Sequence, residues 1–203
     1  MLAVLSGLIA FGGLGAAGAR AEPDWRVLPS DMALGSPKAK VTVIEYASAS
    51  CPHCAAFNNQ VLPAFKAKYI DTGKVRYVLR EYLTEPVDFA AAGFLTARCG
   101  GPSRYFSLLD QVYRHQAQVY QTGDVYGVLM QAAKAGGLTE AQFNACVYDG
   151  KALAAVNDRA DTYAQRDQID VTPSFVVNGV RLEPGFKTLE QMDAAIAAAS
   201  KGR

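Results

Sequence analysis

Residues 41–69 read VTVIEYASASCPHCAAFNNQVLPAFKAKY. The opening run, Val41 to Tyr46, is rich in β-branched side chains, the composition of a buried strand. From Cys54 onward, Phe57, Val61, Leu62, Phe65 and Tyr69 recur at helical spacing. Between the two lies Cys51-Pro52-His53-Cys54, which the flanking patterns place at the first turn of the helix. Unpaired N–H groups and the positive end of the helix dipole favour a thiolate there, and the thiolate is the species that carries disulfide exchange. Two positions three apart share one helix face, so Cys51 and Cys54 can close a disulfide.

The two intervening residues strengthen that reading. Pro52 falls near the first helical position, where a missing N–H is no loss and a fixed φ suits the helix. His53 can carry a proton and donate a hydrogen bond, which favours the thiolate of Cys51 further. The setting predicts a Cys51 pKa between about 3.5 and 7.5, and a lower value means a more oxidising disulfide. Cys54, a turn further in, is expected to be the more buried, resolving thiol. The alternatives are a structural disulfide or half of a zinc site. Zinc wants a second close pair of ligands, and His115, Cys99 and Cys146 show no such spacing.

The start of the chain reads as an export signal over residues 1–21. Leu2 to Ala17 are apolar or small without a charge, and Ala19-Arg20-Ala21 is a small-x-small cleavage site before Glu22. The stretch has no Lys or Arg ahead of its apolar part, and an uncleaved membrane anchor is the other reading. Either fate places the remainder outside the cytoplasm, where disulfides persist. Removing residues 1–21 takes away Arg20 alone, so Lys+Arg falls from 20 to 19 against 19 Asp+Glu, a formal net charge of zero. No basic stripe with interleaved aromatics is present, which argues against a nucleic-acid partner. The remaining length, about 180 residues, suits one domain with a substantial core.

Residues 22–40, with Pro29, Gly35 and Pro37, read as an extended lead-in. Residues 41–85 form a β-α-β unit. Pro63 is expected to kink its helix, Asp71-Thr72-Gly73 to end it, and Lys74 to Leu83 to return as a parallel strand. Residues 86–167 turn helical, with Phe89 to Cys99 Ala-rich and Ser103 a candidate cap for a helix bearing Tyr105, Phe106, Leu109, Val112 and Tyr113. Asp124 opens a further helix closed by Gly136-Gly137, Thr139 with Gln142 forms a capping box, and Lys151 to Arg166 is longer and more polar. Residues 168–203 return to sheet. Asn178-Gly179 between two apolar runs signals a type I′ hairpin, and Thr188 with Gln191 caps a terminal helix.

This order (strand, Cys-x-x-Cys helix, strand, helical insertion, Thr-Pro, hairpin, helix) resembles the thioredoxin fold of the DsbA-like thiol:disulfide oxidoreductases. The fold class is thus α/β, a thioredoxin fold with a large inserted all-helical subdomain, and the resemblance covers roughly residues 36–200. Its most specific residues are Cys51-Pro52-His53-Cys54, whose dipeptide is similar to that of the oxidising branch. Thr172-Pro173 matches the family loop in which the proline is cis and faces the active-site disulfide. There the backbone of Thr172 is free to pair with an extended substrate segment beside Cys51. Thr at this position departs from the best-known member. Glu45, six residues before Cys51, matches a buried acid found beneath the second cysteine in many such enzymes. Buried, it would have a raised pKa and take a proton from Cys54; the plainer reading pairs it with Arg76, Arg80 or Lys40.

Cys99 and Cys146, 47 residues apart, read as a second, structural disulfide worth roughly 4 kcal/mol, with a regulatory bond or two free thiols as alternatives. His115 reads as a surface residue. The expected activity is a periplasmic oxidase that donates the Cys51–Cys54 disulfide to exported proteins with free thiols. The resemblance implies reoxidation by a DsbB-like membrane protein that passes electrons to quinone. No organic cofactor or metal is expected, and monomer is the default. The rivals are a reductase or isomerase on the same fold, or a non-catalytic chaperone or metal-binding module; Cys51→Ser should silence an oxidase and spare a binder.

Overall fold

A computed structural model describes residues 23–201 of the chain. The predicted leader, residues 1–21, lies outside the described residues. Strand β1 (Met32–Leu34) is followed by β2 (Val41–Ala47) and helix α1 (Pro52–Gln60). Helix α2 (Leu62–Phe65) and a π-helical turn (Lys66–Ile70) lead to β3 (Val75–Glu81). Five helices come next: α3 (Val87–Cys99), α4 (Tyr105–Thr122), α5 (Val125–Ala135), α6 (Glu140–Val147) and α7 (Gly150–Arg166). Strands β4 (Ser174–Val177) and β5 (Val180–Arg181) and helix α8 (Leu189–Lys201) complete the fold.

The sheet runs β1-β3-β2-β4-β5, with β2 parallel to β3 and antiparallel to β4. β2 is central and covered on both faces, which explains why its sequence is mostly apolar rather than alternating. Val43, Tyr77, Leu79 and Phe175 face the core shared with α1, α3 and α4. Ile44, Tyr46, Val78 and Val176 face the opposite side, packed with Tyr163 of α7, Ile169 and, at the edge, Trp25. Successive residues of one strand point to opposite faces, so Glu45 and Tyr46 belong to different environments.

Several local expectations are met in detail. Asp124 accepts from the Gly127 N–H at 2.8 Å, Thr139 and Gln142 form the capping box, and Thr188 and Gln191 pair in the same way. Asn178 and Gly179 adopt φ of 46° and 85°, the pair of left-handed values a type I′ turn requires. The helix after Cys51 breaks at Val61, two residues before Pro63, whose ring is incompatible with the Asn59 carbonyl one turn back. The π-helical turn then carries the chain to Asp71, whose N–H reaches the Lys66 carbonyl at 2.9 Å.

Two expectations are corrected. The lead-in is not merely extended: Met32–Leu34 pairs antiparallel with β3 and forms the sheet edge. Ser103 is not the cap; α4 begins at Tyr105, with Arg104 in the cap position and no side-chain hydrogen bond there.

The lead-in is held by a buried guanidinium. Arg80, on the back face of β3, donates to Asp167 at 2.8 Å, to Tyr46 at 2.8 Å and to Asp31 at 3.2 Å. It also donates to the carbonyls of Asp24 at 3.2 Å and Arg26 at 2.6 Å. The side chains of Arg80, Asp31 and Asp167 are fully buried, so each charge depends on the others for solvation. A second buried acid, Glu81, gathers Arg98 of α3, Tyr105 of α4 and Arg159 of α7. Arg80→Met leaves Asp31 without its cation and Asp167 with Arg166 alone; we expect a loss of about 3–5 kcal/mol in denaturant unfolding.

Candidate active site

Cys51 occupies the N-cap of α1 with an extended backbone, and Pro52 takes the first helical position. Its Sγ lies 3.3 Å from the Cys54 N–H, the bond a capping oxygen would make. Both cysteines are free thiols, Cys51 at 7% exposure and Cys54 at 1%. The sulfur at the helix end can therefore be reached by a partner, and the one behind it cannot.

The pair is electrostatically unequal. The Cys54 thiol donates to Cys51, and this bond, opposed by burial, brings Cys51 down to about 6 from an ordinary 9.0. The Thr172 hydroxyl and the backbone N–H groups of Cys54 and His53 act in the same direction. Cys54 is pushed well above the ordinary thiol value, chiefly by burial and then by its bond to Cys51. His53 favours the thiolate through its peptide N–H and not through the expected imidazole, which stands exposed.

Thr172-Pro173 closes the site from the other side. The peptide bond is cis, and the Thr172 carbonyl accepts from Cys51 Sγ at 3.5 Å. Thr172 Oγ1 is buried with no partner among the described residues while Cys51 is a thiol. Ionisation of the sulfur supplies an acceptor for that hydroxyl, which is why threonine here lowers the thiol pKa.

Glu45 lies on the front face of β2 and is 2% exposed. The reading that pairs it with Arg76, Arg80 or Lys40 is not what the structure shows. Arg80 points to the opposite face, and Glu45 instead accepts a hydrogen bond from the Tyr77 hydroxyl. Burial lifts its carboxyl to about 8; the Tyr77 bond lowers it, and the Cys51 charge raises it. Glu45 and Cys54 repel one another as anions, so they share one electrostatic environment.

Tyr77 escapes the sequence argument because an alternating strand gives no sign of which hydroxyl faces which acid. The same holds for Gln116 and Tyr120 of α4, which donate to the carbonyls of Cys51 and Ser50. The Glu85–Pro86 peptide is also cis, at the far side of the Ser50–Thr84 contact. Cys99 and Cys146 are bonded across 47 residues and join the end of α3 to α6. Among the described residues, His115 bonds the Gln111 carbonyl of its own helix. Among the described residues, no group of three or more His, Cys, Asp or Glu is gathered as a metal site would need.

The fold and cysteine pair define a class: the family model described as Thioredoxin matches residues 28–198, and the chain belongs to that family. Within it the chain is DsbA-like. The crystal structure of Wolbachia pipientis alpha-DsbA1 superposes with a TM-score of 0.78 at 28% identity, covering 86% of this chain and 94% of that one. A thioredoxin-like oxidoreductase from Silicibacter pomeroyi matches with a TM-score of 0.65 at 29% identity, over 86% of this chain and 95% of that one. A Rickettsia conorii protein named as a protein-disulfide oxidoreductase is 33% identical over 173 residues, 85% of this chain and 61% of that protein. The chain therefore spans less than two thirds of the length of that relative.

Thr172→Val removes a donor that only the thiolate can use. The Cys51 titration, followed by thiolate absorbance, is expected to have its midpoint near 6 in the parent chain and higher in the variant. Because the folded value is depressed, the reduced protein gains stability as pH rises from about 6 toward 9.0 and loses it as pH falls through 6.

Proposed function

We propose that this chain is a thiol:disulfide oxidoreductase acting outside the cytoplasm, which donates a Cys51–Cys54 disulfide to exported proteins bearing free thiols. The observation that carries the reading is the inequality of the two sulfurs: Cys51 held as a thiolate at the helix end, Cys54 buried and protonated behind it. A disulfide whose reduced form is stabilised in this way is a strong oxidant.

In the forward direction a substrate thiolate attacks the Cys51 sulfur. The Cys51–Cys54 bond breaks, a substrate–Cys51 mixed disulfide forms, and Cys54 leaves as a thiolate. Being buried and basic, Cys54 takes up a proton. Glu45, with its carboxyl near 8, is protonated at neutral pH and supplies it. A second substrate thiolate then attacks the substrate sulfur of the mixed disulfide and releases Cys51. The substrate loses two electrons to the cysteine pair, and the low pKa of Cys51 makes it the better leaving group. In reverse, Cys54 attacks the mixed disulfide, and Glu45 is the base that accepts its proton.

Bringing a substrate to Cys51 requires an open surface around a nearly buried sulfur. Pro52 and His53 are exposed beside it, and Val171, next to the Thr172-Pro173 peptide, is 40% exposed. The Thr172 backbone lies alongside, positioned to pair with an extended segment. The resemblance extends the proposal to a DsbB-like, quinone-linked membrane protein as reoxidant, to the periplasm as the compartment and to a monomer as the working form. The cysteines are the redox centre, and the reaction as written needs no bound cofactor.

Equilibration in glutathione buffers tests the reading. The pair is expected to sit well above the thioredoxin potential of about −270 mV, and Cys51→Ser to abolish oxidation of reduced model substrates. A potential near that of thioredoxin would turn the reading toward a reductase. Glu45→Gln is expected to slow proton-coupled loss and capture of Cys54 in single-turnover exchange. It also removes a stability term: with a folded value raised to about 8, the parent reduced protein is favoured at low pH. That advantage is lost as pH rises from the ordinary 4.5 through 8, and the variant should lack this slope.

A further inference from the structure

Three side chains of one face of α4 reach over the loop that carries Cys51. Tyr113 donates to the Ser48 carbonyl at 3.3 Å. Gln116 donates to the Ala49 carbonyl at 2.8 Å and to the Cys51 carbonyl at 3.1 Å. Tyr120 donates to the Ser50 carbonyl. Residues 113, 116 and 120 are spaced at one helical face, and their acceptors are four consecutive residues of the approach to α1. Each carbonyl from Ser48 to Cys51 thus has a donor from the inserted helix.

These carbonyls are the negative ends of the peptide groups nearest the nucleophilic sulfur. Left bare in a buried loop, they would oppose a thiolate, and they would be free to turn toward Sγ. A donor on each oxygen draws off that negative potential. It also holds the peptide planes with their oxygens toward α4 and away from the sulfur. The Ala49 and Ser50 carbonyls depend on α4 most, because the Cys51 carbonyl has a second donor in the Ala55 N–H at 3.1 Å and the Ser48 carbonyl one in the Cys51 N–H at 3.1 Å.

We propose that α4 sets the acidity of Cys51 through this ladder, with Gln116 as its central positioning residue and Tyr120 as a second. The inserted subdomain is then part of the redox tuning and not only a cover for the sheet. Gln116 is 4% exposed and uncharged, so its influence passes through the carbonyls it binds. The titratable groups around the thiol pair are Cys54 and His53 on α1, Glu45 on β2, Tyr77 on β3, and Tyr113 and Tyr120 on α4. Burial and the negative charge of Cys51 raise the Tyr120 hydroxyl, so it stays a donor across neutral pH.

The inference rests on the redox reading of the same pair, and its test separates the two. Gln116→Leu keeps bulk and removes the amide; Tyr120→Phe removes one hydroxyl and serves if the first variant folds poorly. In both, the Cys51 thiolate titration should move upward, by about two- to tenfold in acidity for Gln116→Leu and less for Tyr120→Phe. The equilibrium with glutathione should shift by the matching factor toward a weaker oxidant. The oxidised form, which holds no thiolate, should lose less stability than the reduced form. An unmoved titration in both variants, with equal losses of stability in the two redox forms, would make the ladder a structural brace and overturn the proposal. A titration that moves in a protein whose pair does not exchange with glutathione would instead remove the redox reading and leave the ladder standing.

Discussion

A sulfur anion at the edge of a protein interior must be solvated by the protein itself, and the site is arranged around that requirement. Cys51 is held by hydrogen bonds, the largest from the Cys54 thiol, with Thr172 and two peptide N–H groups beside it. Three of these donors belong to α1 itself, but Thr172 can serve only if the start of α1 is pinned against the Thr172-Pro173 loop. That alignment comes from β2 and β4, which pair in register through Tyr46 and Ser174 and deliver the two loops to one end of the sheet. The sheet is thus the ruler that sets the distance between sulfur and donor.

Adjacent residues of β2 show how one strand serves two ends. Glu45 looks toward the cysteines and is left with a phenol as its hydrogen-bond partner, so burial dominates and the acid keeps its proton. Tyr46, one residue on, looks the other way and joins Arg80, Asp31 and Asp167 in a fully buried ionic cluster. A cation on the front face would have held Glu45 ionised. Placing the arginine behind the sheet leaves the chemistry and the scaffold electrostatically separate.

Much of this was legible in the chain because the signals are local. The β-branched run, the Cys-x-x-Cys turn, the caps at Asp124, Thr139 and Thr188, and the Asn178-Gly179 hairpin each need only a few neighbouring residues to be read. What was hidden depends on partners distant in sequence. β1 is three residues long and owes its existence to pairing with β3, some 45 positions away, so its own composition carries no strand pattern. Arg80 and Tyr77 sit in the same strand and look alike in an alternation argument, yet one stitches the lead-in and the other faces a carboxyl. Gln116 lies among apolar positions of an amphipathic helix, and its loop contact emerges only when α4 is folded back over residues 48–51. Ser103 failed for the converse reason: its composition suits a cap, but the Gly101 turn before it brings Arg104 into the capping position.

The anchorage of the lead-in also has a mechanical side. Asp24 and Arg26 are fastened through their carbonyls to Arg80, Trp25 packs edge-on against Tyr46, and Met32–Leu34 is zipped to β3. All of these attachments lie behind the sheet or along its β1 edge, whereas α1 stands in front. A pull on the chain from the direction of Pro23 is therefore borne by the arginine cluster and the edge ladder, and the redox helix is spared the load. The end of the described chain can be dragged or tethered without tilting the sulfur against its donors.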